Sequence, residues 1–211
     1  MNSKHWGSLG GAFKIEDLAG LSLGRGASRS ESHIYFYSDV TQDSIQELNT
    51  HLREGVVEMK QLAIEYGIDP PPLHLHIHSD GGDVFAGMAG LDTILELKQQ
   101  VPIHTHIEGS AASAATLLSV AGNYRTIGAN SFILIHQISS EFWGKYEEWK
   151  DEMRNHDLLM KTIVEFYVKN TKMGIRKVKS ALKKDLWFAA DVALECGLVD
   201  AVRGCPQCPK S

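Results

Sequence analysis

The chain is short of cysteine, proline, long apolar runs and positive charge. It has three cysteines and six prolines in 211 residues. Two of the cysteines, Cys205 and Cys208, fall in the last seven residues, so no disulfide framework can be drawn. The third, Cys196, reads as a buried helix residue. A reducing, cytoplasmic setting is the simplest expectation. The longest apolar stretch, about Ala111–Ala121, is interrupted by Ser113, Thr116 and Ser119 and is too short to cross a bilayer. The first twenty residues carry charges where the apolar core of a secretory signal would sit, which argues against such a signal. Lysine and arginine total 21 against 26 acidic residues, a net charge of −5. With no basic cluster, neither nucleic acid nor an anionic membrane is expected as partner.

What is present suits one ordinary globular domain: 43% hydrophobic and 22% charged residues. Residues 1–32 are rich in Gly and Ser and read as a flexible N-terminal arm. Order is expected from His33–Ser38, an aromatic and branched strand, followed by a helix over 42–66 with Ile45, Leu48, Leu52, Val56, Met59 and Ala63 at helical spacing. A prolyl run to Pro72 ends it. A repeating texture follows: strand 73–79, glycine turn 79–83, helix 84–100; strand 102–108, small-residue turn 109–113, buried helix 114–122; then strands at 124–128 and 131–137. Strands alternating with helices predict an α/β domain with a mainly parallel sheet. Residues 141–184 turn charged and helical, with Trp143, Tyr146, Trp149, Met153, Leu158 and Met160 spread through them. They predict a helix leaving the core and a second returning. The aromatic stripe is expected to be an oligomer or packing surface. The domain is bounded at 33–202, and 203–211 reads as a flexible tail.

Three places carry candidate chemistry. Gly109-Ser110-Ala111-Ala112-Ser113-Ala114 lets a strand turn sharply into a helix, and a serine there lies beside free backbone N–H groups that favour developing negative charge. Ser113 is either an acyl-transfer nucleophile or a helix cap. His136, at the end of the apolar run SFILI, is either a general base or a strand-end histidine bonded to a carbonyl. Asp185, before Leu186-Trp187-Phe188, is a third member of a triad or a solvated helix end.

Together these motifs resemble the proteolytic-subunit family of Clp proteases. Gly109-x-Ala111-Ala112-Ser113 is similar to the family's nucleophile motif, Ile135-His136-Gln137 to its histidine motif, and Ser79-x-Gly81-Gly82 to its Ser-Pro-Gly-Gly turn. Asp185 stands fifteen residues before Asp200, in the family's Gly-Leu-Val-Asp ending. The resemblance covers about 33–202. It implies a crotonase-like spiral of β-α units with a protruding handle at about 141–184. It further implies a serine endopeptidase acting on unfolded or small polypeptides, with Ser113 as nucleophile, His136 as base, Asp185 orienting the histidine, and the Gly82 and Ala114 N–H groups as oxyanion hole. No cofactor is implied. Stacked seven-membered rings are, and so is an AAA+ ATP-driven unfoldase as partner.

The sequence departs from that pattern in three ways. Asp80 replaces the turn proline and, pointing inward, would weaken the oxyanion donors. The segment before His33 lacks the family's helix pattern. His74, His76 and His78 stand where tyrosines usually help form the unfoldase pocket. Period-2 spacing puts these three on one face, and His104 and His106 do likewise on the next strand. A transition-metal cluster is conceivable there, but a polar sheet face at a subunit contact is the expectation. The lone Cys205-Pro206-Gln207-Cys208 lacks two further zinc ligands. Three other functions remain in view: a catalytically silent ring subunit or scaffold, a crotonase-type acyl-CoA enzyme, and a Ser-Lys peptidase. The last would need a lysine where His136 stands.

Overall fold

The computed structural model describes residues 26–204 apart from Ser140. Residues 1–25 of the expected arm, and the tail with Cys205 and Cys208, lie outside the described residues. Among the described residues one eight-stranded sheet runs β1 (Ala27–Ser30), β2 (His33–Phe36), β3 (Leu73–Ser79), β4 (Ile103–Ala112), β5 (Tyr124–Gly128), β8 (Ala201–Arg203), with β6 (Phe132–Leu134) paired to β4 and β7 (Phe188–Ala189) paired to β6. Its pairings are parallel except β1–β2 and β6–β7. The mixed α/β architecture expected from the alternating strands and helices is the one observed.

Helix α1 (Gln42–Tyr66) follows β2 (His33–Phe36). Thr41 and Ser44 form a reciprocal capping box at its start. Its apolar stripe, Ile45, Leu48, Leu52, Val56 and Met59, is buried. Each fully buried leucine contributes about 1.5–3 kcal/mol. The next two β-α units are β3 (Leu73–Ser79) with α2 (Val84–Leu97), and β4 (Ile103–Ala112) with α3 (Ala115–Val120). Leu73, Leu75 and Ile77 of β3, with Ile103 and Ile107 of β4, are fully buried. The alternate residues, the histidines, occupy the opposite face.

Two expectations are corrected. Residues 26–32 are not all part of a free arm: β1 (Ala27–Ser30) pairs antiparallel with β2. Its polar sequence hides this, because as an edge strand it is anchored by Arg29 bonding Glu58 of α1 and by the Ala27 N–H donating to Glu47 (3.1 Å). Residues 109–112 are not a turn. The strand continues through them, pairing with β5 (Tyr124–Gly128) as far as Ile107 and with β6 (Phe132–Leu134) from Ser110. Gly109, at φ +82, is where β4 changes partner, and a Cβ there would lie 2.7 Å from His78 Nδ1. Small residues therefore serve a strand that bends between two partners.

Beyond β6 the chain forms α4 (Tyr146–Asn170) and α5 (Ile175–Leu182), then β7 (Phe188–Ala189), α6 (Ala190–Cys196) and β8 (Ala201–Arg203). Only the C-terminal part of α4 enters the core, through Ile163, Val164 and Tyr167. Towards the N-terminal side Trp143, Tyr146, Met153 and Leu158 are exposed, so the helix projects as the predicted handle. Arg125 of β5 clamps three segments: its guanidinium bonds both Asp200 carboxylate oxygens (2.7 and 3.0 Å) and the Asn170 carbonyl (2.6 Å). No helix among the described residues is long and apolar enough to cross a membrane.

Candidate active site

Ser113 stands where β4 ends, with φ +53 in the left-handed region that a non-glycine residue rarely adopts. Its N–H donates to the Leu134 carbonyl of β6 (2.8 Å), and its own carbonyl accepts the Thr116 N–H (3.0 Å). The Thr116 hydroxyl donates to the same carbonyl. The bond to Leu134 ties Ser113 to a strand that reaches His136 two residues later. The Ser113 side chain makes no hydrogen bond among the described residues.

Ser113 and His136 line one cleft of about 720 Å³, roofed by Leu158, Leu159 and Ile163 of α4. The next residue, Gln137, donates its N–H to the Leu182 carbonyl at the end of α5 (2.7 Å). That bond brings the chain carrying Asp185 alongside. Asp185 Oδ1 lies 3.6 Å from His136 Nδ1, with the carboxylate side chain 83% exposed. This is an ion-pair separation, longer than a hydrogen bond. Ser113 and His136 therefore share a cleft wall, and Asp185 approaches His136 from the solvent side.

The glycine turn completes the wall. Gly81 and Gly82 have φ +98 and +143; a Cβ on Gly81 would lie 2.6 Å from Ser113 Cβ, and one on Gly82 2.3 Å from the Val40 carbonyl oxygen. No other residue type fits either position. Val40 holds the turn from both sides: its N–H donates to Gly81 O (2.7 Å) and its carbonyl accepts from Asp83 N–H (2.8 Å). Gly82 and Ala114 both line the cleft, and neither backbone N–H donates to another described residue. Helix α3 is only six residues long, so any anion stabilisation rests on those two amides more than on a helix dipole. Asp80 does not turn on them: it is exposed and accepts from the Ser110 hydroxyl (3.3 Å).

The histidine face is a hydrogen-bonded array that sequence reasoning saw only in part. His76 Nδ1 meets Glu108 (2.9 Å), and His76 Nε2 meets His33 Nδ1 (2.9 Å). His74 Nδ1 meets His106 Nε2 (2.8 Å), and His106 Nδ1 meets Thr126 (2.7 Å). Because Glu108 only accepts, His76 Nδ1 carries a proton and its Nε2 receives one from His33. Burial pushes the His74 imidazole down to about 4 and His106 to about 3. Burial alone would raise the Glu108 carboxyl, but hydrogen bonds from Tyr37, Arg203 and His76 hold it at about 2. Glu108, Tyr37 and Arg203 were missed because Glu108 and Arg203 lie on β4 and β8 and Tyr37 just after β2, far apart in sequence. No cluster of His, Cys, Asp or Glu among the described residues could hold a metal ion.

Within parallel β-α units the glycine turn packs against Ser113, and His136 lines the same cleft. The Clp protease family model matches residues 28–204, from within β1 to just past β8 and therefore through every element of the described fold. The handle, the cleft and the glycine turn all fall inside that match, so the chain carries a peptidase domain of Clp type and belongs to the Clp protease family.

Proposed function

We propose that the protein is a serine endopeptidase that cleaves unfolded or small polypeptides through an acyl-enzyme on Ser113. The observation that carries this reading is the convergence of the unbonded Ser113 hydroxyl, His136 and two undirected amide N–H groups on one cleft. In the proposed cycle His136 takes the hydroxyl proton as Ser113 Oγ attacks the peptide carbonyl. The Gly82 and Ala114 N–H groups bind the oxyanion. His136 returns the proton to the leaving amine, and water then releases the acyl group by the same route in reverse. Asp185 orients His136 and stabilises its charged form. For this the 3.6 Å gap must close by several tenths of an ångström, a tightening common when substrate binds. Ser113→Ala and His136→Ala should abolish hydrolysis of an unstructured fluorogenic peptide. Hydrolysis persisting in both variants would refute the assignment.

The exposed side chains of α4 and of the loop before it, with Met153 at 63% and Trp143 fully exposed, support self-association through the handle, with stacked seven-membered rings as the proposed form. An AAA+ unfoldase is the proposed partner, meeting a histidine-rich rather than tyrosine-rich face. Cys196, a buried free thiol, fits a reducing, cytoplasmic setting. The exposure of Asp185 favours one second reading, a silent ring subunit. Wild-type hydrolysis excludes it.

A further inference from the structure

The side chain of Tyr167 in α4 hydrogen-bonds to Thr116, in the first turn of α3 just after the candidate nucleophile. Tyr167 is 2% exposed, and its hydroxyl meets that of Thr116, which is fully buried. The direction of these bonds follows from counting protons. The Ser113 carbonyl can only accept, so the single Thr116 hydroxyl proton goes to it. Thr116 Oγ1 must then accept from Tyr167. Burial pushes the Tyr167 phenol up to about 12, so it stays a protonated donor. The relay runs from Tyr167 to Thr116 to the Ser113 carbonyl.

That carbonyl belongs to the peptide plane that carries the Ala114 N–H. In a trans peptide, the only kind in the described chain, C=O and N–H point in opposite directions. Pulling the Ser113 carbonyl inward, toward Thr116, therefore aims the Ala114 N–H outward into the cleft. The aim needs holding, because Ser113 sits at φ +53, a conformation that persists only when its surroundings over-determine it. The Thr116 N–H and hydroxyl and the Leu134 carbonyl supply those restraints, and Tyr167 fixes the rotor of the hydroxyl.

We infer that Tyr167 and Thr116 are positioning residues that set the Ser113–Ala114 peptide plane, coupling the seating of handle helix α4 to the oxyanion-binding amide. This rests on the peptidase reading above, which it deepens. Two kinds of measurement test it. Tyr167→Phe and Thr116→Val keep shape and lose one hydroxyl each. Each should lower kcat about tenfold, less than the about 10²–10³-fold cost of removing an oxyanion donor outright, with KM within about twofold. Thr116→Ser should restore kcat. The double variant should be no worse than Thr116→Val, since both act in one relay. Independently of catalysis, carbonyl-¹³C serine with ¹⁵N alanine isolates the Ser–Ala amides at Ala111, Ala114 and Ala181. The Ala114 resonance, identified by its loss in Ser113→Ala, should shift in Tyr167→Phe while that of Ala181 stays. An unmoved Ala114 amide, or unchanged kcat with only a lowered melting temperature, overturns the inference. Wild-type protein without hydrolysis refutes the peptidase reading instead, and the Ala114 shift then decides the positioning role by itself.

Discussion

Substituting Gly82→Ala should separate loss of catalysis from loss of stability. The new Cβ would lie 2.3 Å from the Val40 carbonyl oxygen. It must move by about 1 Å to reach an ordinary C···O contact of about 3.3 Å. Val40 cannot simply yield, because its N–H and carbonyl both bond the turn. An L-residue at φ +143 adds about 1–3 kcal/mol of backbone strain. Weakening the Asp83–Val40 bond adds about 1 kcal/mol. The sum, about 2–4 kcal/mol, lowers the melting temperature by about 5–15 °C for a domain of this size. The protein therefore stays folded at room temperature. A shift of about 1 Å takes the Gly82 N–H out of reach of an oxyanion, so kcat should fall about 10²–10³-fold. Gly67→Ala is the control: it is also left-handed, at φ +64, but nothing lies within 4 Å of its new Cβ. It should cost about 1–2 kcal/mol and leave peptide hydrolysis unchanged. The assay is kcat/KM on a fluorogenic peptide beside a thermal melt. Gly82→Ala hydrolysing within about threefold of wild type, at a clearly lowered melting temperature, would refute the donor role.

Further outcomes follow from other parts of the molecule. Asp200→Asn should lower stability by about 2 kcal/mol, the scale of hydrogen bonds to a charged group, because Arg125 is largely buried and loses its ionic partner. A urea melt checks this, and an unchanged midpoint contradicts it. Acid should weaken the fold through the histidine face. His74 and His106 titrate near 4 and 3 when folded, below the ordinary 6.5. The unfolded chain therefore takes up protons first, and stability falls as pH drops below about 6.5. Glu108, held at about 2, adds stability that is present above its ordinary 4.5 and is lost on further descent. The urea midpoint should fall between pH 7 and 4, less steeply in His106→Gln; a flat profile contradicts the burial argument. Replacing Tyr146 and Trp149 by serine should lower the assembled mass in sedimentation without changing the far-UV circular dichroism. Unchanged mass would remove the handle stripe from the proposed interface.

The elements that could be read from sequence are those whose cause is local. Helix α1 carries its own cap at Thr41, its own apolar stripe and its own stop at Gly67. Strand β3 declares itself by alternating Leu and Ile with His. Strand β1 could not be read, since Ala-Ser-Arg-Ser becomes a strand only by pairing with β2. Nor could the extension of β4 through Gly109–Ala112, whose small residues suit a turn until β6 is placed beside them. At the candidate site, Ser113, His136 and Gly82 stood out because each lies in a short motif, and the structure brings them to one cleft. Asp185 was named too, yet its exposure depends on the loop after α5. The Tyr167–Thr116 bond joins residues 51 positions apart and leaves no local signal at all.

The proposed peptidase cycle requires Ser113 to be an activated nucleophile. Incubating the wild-type protein with a fluorophosphonate and mapping the adduct by peptide mass spectrometry tests it most directly. One phosphonylated peptide is expected, with the modification on Ser113 and none in Ser113→Ala or His136→Ala. An adduct on another residue, or labelling that survives Ser113→Ala, would contradict it.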